Sequence, residues 1–420
     1  MTDSILPHHT ALPVSSRGVA SSRTILLRLL RRVRGGTIVL VEGEHERRFG
    51  DGDPEVRLFV HDPRAFASVL RHGNIGVGSS YINAWWDCDD LTGLLQVLWR
   101  TVATSSHRRD RWARRLAPVR FGARWSDRAN PARDRDNVRA HYDLSNQFFE
   151  LMLDETMAYS CGFFADPSVE LATASKAKFD RLCRKIALGP DDHLLEIGTG
   201  WGGFAMHAAR EYGARVTTTT ISDAQYEYAC RRVSAAGLDD RVGVLNRDYR
   251  ELTGTYDKVV SIEMIEAIGW RQLDTYFATC SRLLKPDGLM ALQAIVIEDR
   301  SYERAKTSDD FIKHFVFPGG FLPSTEAMSS SMASVTDLSI VDLEDIGRHY
   351  AETLRRWRAN LSHNREALDE LALGATFDRL WHFYLCYCEA GFLDRHVTAV
   401  QLVLARDQWR GSLAAFPSRD

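Results

Sequence analysis

A glycine-rich turn after a short apolar run is the strongest chemical signal in this 420-residue chain. The turn reads Gly198-Thr-Gly200-Trp-Gly202-Gly203, and Glu196 stands two residues before the first glycine. Glycines at alternate positions let the backbone turn tightly and approach a ligand closely. The spacing differs from the G-x-G-x-x-G fingerprint of dinucleotide-binding folds. With the preceding acid it is typical of S-adenosylmethionine-dependent methyltransferases, although a nucleotide-binding oxidoreductase stays the alternative from the turn alone.

Two further groups of polar residues follow apolar runs and could complete a cofactor site. Asp248 and Tyr249 come after the run 242–246, and Glu263 and Glu266 come after the run that ends at Ile262. Ligands of an open parallel sheet bind beyond the carboxyl ends of its strands, so these groups are expected at one edge. An acid and a ring could hold an adenine there. The alternative for Asp248 and Tyr249 is an ordinary solvated turn.

Apolar runs and helical periodicities alternate from about residue 170 onwards. We predict strands at 193–197, 215–220, 242–246, 256–262 and 289–295, and helices at 175–188, 204–212, 223–236 and 270–284. Such alternation predicts an α/β fold, a Rossmann-like class I methyltransferase sheet with helices on both faces. The pattern is interrupted over 299–360, where we expect a helical lid insertion that covers the substrate.

The front of the chain has a different composition. We predict a disordered tail over 1–22, a small N-terminal α+β domain that associates with lipid, with its linker, over 23–125, and the methyltransferase domain over 126–420. Strands are expected at 37–41 and 56–60, and the Arg-dense stretch 105–140 contains the linker. Residues 23–34 predict a basic amphipathic helix that could lie on an anionic bilayer. An ordinary domain helix with a solvated basic face is the alternative.

Charge is distributed unevenly along the chain. Residues 1–140 hold 23 Arg, no Lys and 15 acidic residues, which gives +8, whereas the whole chain carries −3. A basic front half indicates an anionic partner, either a phospholipid surface or a nucleic acid. A nucleic-acid methyltransferase would need an acceptor motif such as N/D-P-P-Y, and the sequence contains none, so we expect no nucleic-acid partner.

The cysteines and the hydropathy bear on location. None of the seven Cys forms a C-x-x-C pair or has a His spacing suited to zinc, which predicts reduced thiols and no metal site. No stretch reaches 18 apolar residues, and the N-terminus lacks the apolar segment of a secretion signal. We therefore expect a cytoplasmic protein that associates peripherally with the inner face of the plasma membrane.

Several longer motifs resemble the cyclopropane-fatty-acyl-phospholipid synthases and mycolic acid methyltransferases. They are His141-Tyr-Asp-Leu-Ser-Asn-Gln-Phe-Phe149, Tyr159-Ser-Cys161, Ser261-Ile-Glu-Met-Ile-Glu-Ala-Ile-Gly269, Phe317-Pro-Gly-Gly-Phe-Leu-Pro-Ser324 and Tyr384-Leu-Cys-Tyr-Cys-Glu-Ala-Gly-Phe392. Gly78-Ser-Ser-Tyr81 and Trp85-Trp86 resemble the N-terminal domain of the phospholipid-acting synthases. Variants of these motifs resemble an actinobacterial branch that includes fatty-acid C-methyltransferases of the tuberculostearic (10-methylstearic) acid pathway.

The resemblance implies a reaction on lipid. The methyl carbon of S-adenosylmethionine would go to the cis double bond of an unsaturated acyl chain of a membrane phospholipid. A bound bicarbonate would then deprotonate the resulting carbocation, giving a cyclopropane or a methylene- or methyl-branched chain. Candidate partners are the phospholipid acyl chains at an anionic membrane surface, a second copy of the chain, and a reductase that acts on the product.

The resemblance, together with the glycine turn, assigns site residues. Contacts to S-adenosylmethionine are expected from Tyr159, Ser160, Glu196, Gly198, Gly200, Gly202, Thr220, Ile221, Gln225, Asp248 and Tyr249. Bicarbonate would be held by Cys161, Glu266, Gln293, Ile295 and Tyr350. The catalytic candidates are Glu266, Tyr350, Cys161, Cys388 and His141, of which the two cysteines could equally be buried packing residues and His141 an orienting residue.

One position departs from the family in a way that bears on the product. Gln293 stands where the family usually has His, and Ala267 stands where many members have His. Glutamine can donate a hydrogen bond to an anion but cannot carry charge or relay a proton. Ring and branch therefore both stay open as products, and a non-catalytic lipid-binding relative stays open as an alternative function.

Overall fold

This computed structural model describes residues 16–101 and 144–413. The first range forms α1 (Ser16–Leu30), β1 (Gly36–Glu42), β2 (His45–Asp51), β3 (Glu55–Val60), α2 (Arg64–Ile82), β4 (Trp86–Cys88) and α3 (91–101). The second forms α4 (Asn146–Met152), α5 (Leu171–Lys185), β5 (His193–Ile197), α6 (Gly203–Tyr212), β6 (Arg215–Thr220), α7 (Asp223–Ala235), β7 (Val242–Asn246), β8 (Tyr256–Ile262), α8 (Leu273–Leu283), β9 (Leu284–Ile297), α9 (Asp299–Ala305), α10 (Thr325–Val335), β10 (Ser339–Asp345), α11 (Gly347–His363), α12 (Arg365–Glu370), α13 (Ala375–Leu393) and β11 (Val397–Ala405). No helix in these two ranges is long and apolar enough to cross a membrane.

The chain divides into two compact units, and the division is not where the sequence predicted it. The first unit contains the chain up to Asp127 together with Asp309–Val316 and Arg365–His396, and the second unit contains the rest. The region 126–420 is therefore not one contiguous domain, because two of its segments fold with the N-terminal part. The linker expected within 105–140 lies outside the described residues.

The first unit contains a four-stranded sheet in the order β2-β1-β3-β4. β1 is parallel to β3 and antiparallel to β2, and its apolar residues, such as Ile38 and Leu40, are buried. The expected tail over 1–22 is wrong for residues 16–22, because α1 begins at Ser16. A helix of this length becomes stable by packing, and Leu30 at its end is buried.

Helix α13 belongs to the first unit because polar side chains along it bond to α2 and α3. The hydroxyl of Tyr387 accepts a 3.2 Å hydrogen bond from the amide of Asn74. The Asp394 carboxylate after its end accepts bonds of 2.8–3.1 Å from the Arg100 guanidinium. Phe383 is fully buried against Tyr81, with ring centres 5.6 Å apart. These contacts join residues that lie between 294 and 313 positions apart in the sequence, which no local pattern could indicate.

The second unit contains a seven-stranded sheet in the order β10-β11-β9-β8-β5-β6-β7. The strands β5 to β9 are parallel, and their order reverses beside β5, so the carboxyl end of β5 lies at a switch point. Beyond β9, β11 is antiparallel to β9, and the edge strand β10 is antiparallel to β11. The predicted strands 193–197, 215–220, 242–246 and 256–262 coincide with β5 to β8.

A helical lid was expected over 299–360, but this region is not purely helical. It contains α9, α10 and α11, but also β10, which pairs with β11 over six register positions. The residues of Ser339–Asp345 are all exposed or only partly buried, as expected for a strand at the edge of the sheet. Part of the expected lid is therefore an extension of the sheet, and its segment Asp309–Val316 belongs to the first unit.

Candidate active site

The glycine turn lies between β5 and α6 in a conformation that needs glycine. Gly198, Gly200 and Gly202 have φ angles of 100°, 52° and 84°. A Cβ on Gly198 would approach the Met264 side chain to 3.2 Å, and one on Gly203 would lie 2.3 Å from the carbonyl oxygen of Thr156. The turn therefore brings backbone amides close to a pocket that side chains would otherwise fill.

A pocket opens at this turn, beyond the carboxyl ends of β5, β6, β7 and β8. Ten of the eleven residues predicted for the cofactor line it, namely Tyr159, Ser160, Glu196, Gly198, Gly200, Thr220, Ile221, Gln225, Asp248 and Tyr249. The eleventh, Gly202, does not line the pocket but caps α6. The lining also contains Thr199, Trp201, Arg247 and Glu263, which the sequence analysis did not assign to the cofactor.

Glu196 is a buried acid on the pocket wall. Its carboxylate accepts a 2.5 Å hydrogen bond from Thr218 on β6, and the hydroxyl of Thr199 lies 2.7 Å from the same threonine. Burial raises the pKa of Glu196 to about 8, so the neutral form predominates at pH 7. The threonine-rich end of β6 thus supplies hydroxyl partners for this acid.

Asp248 lies in a buried turn, so the alternative of an ordinary solvated turn at Asp248 and Tyr249 is wrong. It is 4% exposed and accepts hydrogen bonds from the backbone N–H of Arg250 at 2.9 Å and from its guanidinium at 2.6 Å. The guanidinium fixes the direction of the carboxylate at the pocket wall. An ordinary surface turn would leave this carboxylate in water.

Glu263 is the centre of the hydrogen-bond network beside the pocket, and sequence reasoning placed it only near the mouth. Its Oε1 accepts bonds from the Cys161 backbone N–H at 2.9 Å and from the Gln293 amide at 2.7 Å. Its Oε2 accepts a 2.7 Å bond from the Tyr350 hydroxyl. The residue has a φ of 50°, which a side chain with Cβ adopts only when the surroundings hold it there.

The two glutamates after β8 experience different environments. Burial raises the pKa of Glu263, while the Lys178 ammonium and the bonds from Tyr350, Cys161 and Gln293 oppose that rise. Burial and the neighbouring charge of Glu263 raise the pKa of Glu266 to about 8. One oxygen of Glu266 accepts a bond from the Ile295 N–H, and within the described residues the other accepts none.

The residues expected to hold bicarbonate lie close together, but their N–H and O–H groups already donate hydrogen bonds to the two glutamates after β8. Cys161, Gln293 and Tyr350 all donate to Glu263, and Ile295 donates to Glu266. Gln401 donates to the carbonyl oxygen of the Gln293 side chain at 3.0 Å, which fixes its N–H toward Glu263. A bicarbonate ion would compete with the Glu263 carboxylate for the same donors, so these residues do not fit the ion.

The cysteines in this part of the chain are neutral thiols. Cys161 is fully buried, its Sγ donates to the carbonyl oxygen of Gly162 at 3.2 Å, and burial raises its pKa well above the usual value. Burial also raises the pKa of Cys388, which lies on α13 in the first unit. Neither environment generates a thiolate nucleophile. His141 lies outside the described residues.

Aromatic rings surround the pocket wall on the side of Tyr159. Its ring centre lies 5.4 Å from that of Phe149 and 5.1 Å from that of Trp357, and Trp201 lies 4.8 Å from Phe149. Phe149 and Trp357 are fully buried. Tyr159 and Trp201 line the pocket, where their rings exclude water and present negative faces to a cation, and Phe149 and Trp357 pack behind them.

Comparisons with known proteins agree on one family. The family profile described as "Mycolic acid cyclopropane synthetase" matches residues 129–402. The chain is 40% identical over 397 residues to "Tuberculostearic acid methyltransferase UfaA1" of Mycobacterium tuberculosis, covering 92% of each chain. It is 34% identical over 360 residues to the "Cyclopropane-fatty-acyl-phospholipid synthase" of Escherichia coli K12, covering 85% of this chain and 89% of that one.

Solved structures show the same fold. The mycolic acid cyclopropane synthase CmaA1, complexed with SAH and CTAB, matches with a TM-score of 0.59 and 30% identity, covering 65% of this chain and 98% of that one. The cyclopropane synthase MmaA2 from Mycobacterium tuberculosis matches with a TM-score of 0.60 and 28% identity over the same shares of the two chains.

Proposed function

The chain belongs to the mycolic acid cyclopropane synthetase family of S-adenosylmethionine-dependent methyltransferases, and from this premise we propose that it methylates the cis double bond of phospholipid acyl chains. The coarse activity, methylation of unsaturated lipid acyl chains, is supported by the relatives on both the cyclopropane and the methyl-branching side. The phospholipid as acceptor is supported by the match over 89% of the Escherichia coli synthase, whose name specifies that substrate.

The observation that carries the mechanism is the buried Glu263 carboxylate beside the cofactor pocket. S-adenosylmethionine supplies an electrophilic methyl group on a sulfonium. The pocket must hold the alkene in line with it, because the alkene is a weak nucleophile and correct positioning of the reacting atoms lowers the barrier by several kcal/mol. The rings of Tyr159 and Trp201, which line the pocket, keep water from the carbocation that follows and stabilise its charge.

Glu263 then acts as the base. A C–C bond forms between the methyl carbon and one alkene carbon as the C–S bond breaks, and the other alkene carbon becomes cationic. Loss of a proton from the new methyl group to Glu263 closes a cyclopropane. If a hydride first shifts from the methylated carbon to the cationic carbon, proton loss from the new methyl group gives a methylene branch on the chain instead. The bicarbonate expected from the family resemblance is not needed, because Glu263 supplies a carboxylate to the same three donors.

The branched product is the better supported of the two. The relative whose name specifies tuberculostearic acid is 40% identical over 92% of the chain, against 34% over 85% for the cyclopropane synthase. A methylene branch needs reduction to become a methyl branch, so the proposal includes a reductase that acts on the product.

The test is a reconstitution with defined lipids. The purified chain and S-adenosylmethionine are incubated with dioleoyl-phosphatidylglycerol vesicles, and the released fatty acids are analysed by gas chromatography–mass spectrometry. The expected product is an acyl chain that has gained one CH₂ and retains a double bond. Free oleate serves as the comparison acceptor. Absence of any methylated or cyclic acyl chain from either acceptor would contradict the proposal.

We also propose that the chain works at a membrane surface. Helix α1 exposes Ile25 and Leu29, which are 47% and 42% exposed, and the exposed Arg28 lies between them. A helix with apolar and basic residues on its exposed face suits an anionic bilayer. The lipid family also favours this partner over the nucleic acid that the basic front half left open.

A further inference from the structure

Lys178 is a fully buried lysine that neither the cofactor assignment nor the proposed mechanism uses. It lies on α5 with no exposed surface. Its Nζ donates a 2.6 Å hydrogen bond to the Ser160 hydroxyl and lies 4.5 Å from the centre of the Phe179 ring. Burying an ammonium group is costly unless nearby charges compensate it, so its surroundings indicate what it does.

The contacts of Lys178 lead directly to Glu263. Ser160, which accepts the bond from Lys178, lines the cofactor pocket. The next residue, Cys161, donates its backbone N–H to the Glu263 carboxylate at 2.9 Å. The lysine thus supports, through one dipeptide, both the pocket wall and one of the three donors that orient the base.

Burial is the largest influence on Lys178 and lowers its pKa, and neighbouring acidic groups oppose this effect. Glu263 opposes it most, ahead of the Cys161 thiol, Asp154 after α4 and Glu196 on β5. Among the described residues, Lys178 is also the cation that most lowers the pKa of Glu263.

Besides Lys178, three titratable residues among the described ones bond to Glu263 or interact with its charge. They are Glu266 in the turn after β8, Cys161, and Tyr350 on α11. The pKa of Glu266 is raised to about 8, and the Cys161 thiol is neutral, so neither competes for the lysine at pH 7. Glu263 acts on the ammonium group more strongly than Asp154 and Glu196 do, so it is the main partner of Lys178 among these acids.

We infer that Lys178 is a positioning residue that keeps Glu263 ionised and oriented as the base, and that it does so from behind the pocket wall without touching the substrate. The inference rests on the proposed function for its role in catalysis, but the ionisation of Glu263 can be measured without any turnover. Loss of the ammonium should raise the pKa of Glu263, since an opposite charge favours the ionised form of a carboxylate.

The deciding experiment is a ¹³C NMR titration of the full chain labelled at glutamate carboxyl carbons. Glu263→Gln identifies the Glu263 signal by its disappearance. In Lys178→Met we expect the titration midpoint of that signal to rise by about one pH unit or more. A midpoint equal to that of the unsubstituted chain would overturn the inference. Lys178→Gln, which keeps a polar tip, provides the same measurement if the Met variant does not fold.

Lys185 provides the matched control on the same helix. It is 2% exposed and lies seven residues further along, but its partners are Asp342 at 2.7 Å and Glu344 at 3.0 Å. Lys185→Met should lower thermal stability and leave the Glu263 midpoint where it is. A shift equal to that of Lys178→Met would show that any buried charge on α5 suffices, and would overturn the specific role of Lys178.

The pH profile of methyl transfer then connects the pair to catalysis. In Lys178→Met the rising limb of kcat should move to higher pH by the same amount as the NMR midpoint, with activity recovering at alkaline pH. A uniform loss at every pH would show a merely structural role. If the unsubstituted chain methylates no lipid, the proposed function fails, while the NMR titration still decides whether Lys178 controls Glu263.

Discussion

Three donors converge on one buried carboxylate at Glu263, and this arrangement determines which substitutions the site can accept. Cys161, Gln293 and Tyr350 present N–H and O–H groups to it. A carboxylate accepts from all three, whereas a glutamine would place its NH₂ group where Tyr350 now donates, and the hydroxyl would have to turn and accept instead.

Glu263→Gln should therefore remove most of the activity. We expect kcat to fall by about 10²–10⁴-fold, the range of a lost general base, while affinity for S-adenosylhomocysteine stays within a few-fold. Single-turnover methyl transfer to vesicle lipid and calorimetric binding measure the two effects.

Glu266→Gln is the matched control for that substitution. The pKa of Glu266 is raised to about 8, so an amide resembles its predominant neutral form at pH 7. Its activity should fall less than about tenfold. Equal losses in the two variants would contradict the assignment of the base to Glu263.

Gln293→His should change the rate or the ratio of ring to branch. A histidine could carry a proton beside Glu263, and it would remove the carbonyl oxygen to which Gln401 donates at 3.0 Å. Product analysis by gas chromatography–mass spectrometry measures the ratio. An unchanged rate and an unchanged product profile would show that this position does not determine the product.

At the scale of elements, the sequence predicted best where apolar runs alternate with helical periodicity. β5, β7 and β8 contain short apolar runs and β6, RVTTTT, is rich in β-branched residues, so the bounds of these parallel strands could be predicted closely. β2 was missed because its residues, HERRFGD, are almost all polar and largely exposed. β10 was taken as lid because its place in the sheet depends on pairing with β11, sixty residues away.

The residues of the candidate site likewise divide into those that local sequence patterns located and those that they did not. The glycine turn, Asp248 and Tyr249 follow strand ends, so local patterns located them, whereas Tyr159, Ser160 and Gln225 were assigned through the family resemblance. Glu263 was underestimated, because the sequence does not show that Cys161, Gln293 and Tyr350 all point at it rather than at an external anion. Lys178 gave no signal, since a lysine on a helix is ordinarily a surface residue.

Gly198→Ala tests the turn as an element. Alanine is strained at a φ of 100°, and its Cβ would approach Met264 to 3.2 Å. We expect a stability loss of about 1 kcal/mol and affinity for S-adenosylhomocysteine reduced by about tenfold or more. Thermal unfolding and calorimetric binding measure these.

Gly237→Ala is the control for backbone strain alone. Gly237 has a φ of 65°, and nothing lies within 4 Å of an added Cβ. It should lose stability without losing cofactor affinity. Full affinity in Gly198→Ala would mean that the turn does not approach the ligand.

At the scale of the whole molecule, the basic first 140 residues and the acidic remainder suggest an orientation toward an anionic surface. The double substitution Ile25→Ser and Leu29→Ser should reduce binding to vesicles containing phosphatidylglycerol by about fivefold or more, because both side chains are exposed on α1. Co-sedimentation measures the bound fraction, which should also fall with added salt.

Val335→Ser provides the comparison for that experiment. Val335 is a similarly exposed apolar residue, 40% exposed, at the end of α10. It should bind vesicles like the unsubstituted chain. A loss of binding in both variants, or in neither, would contradict α1 as the membrane contact.

The composition of the first unit limits how this protein can be shortened. A fragment that stops at residue 127 would keep Asn74 and Arg100 but lose Tyr387 and Asp394, to which they bond. A fragment that starts there would carry α13 without the aromatic neighbour Tyr81 that covers Phe383. The N-terminal segment and the segment Arg365–His396 therefore have to be expressed in one polypeptide, or supplied together, for these contacts to form.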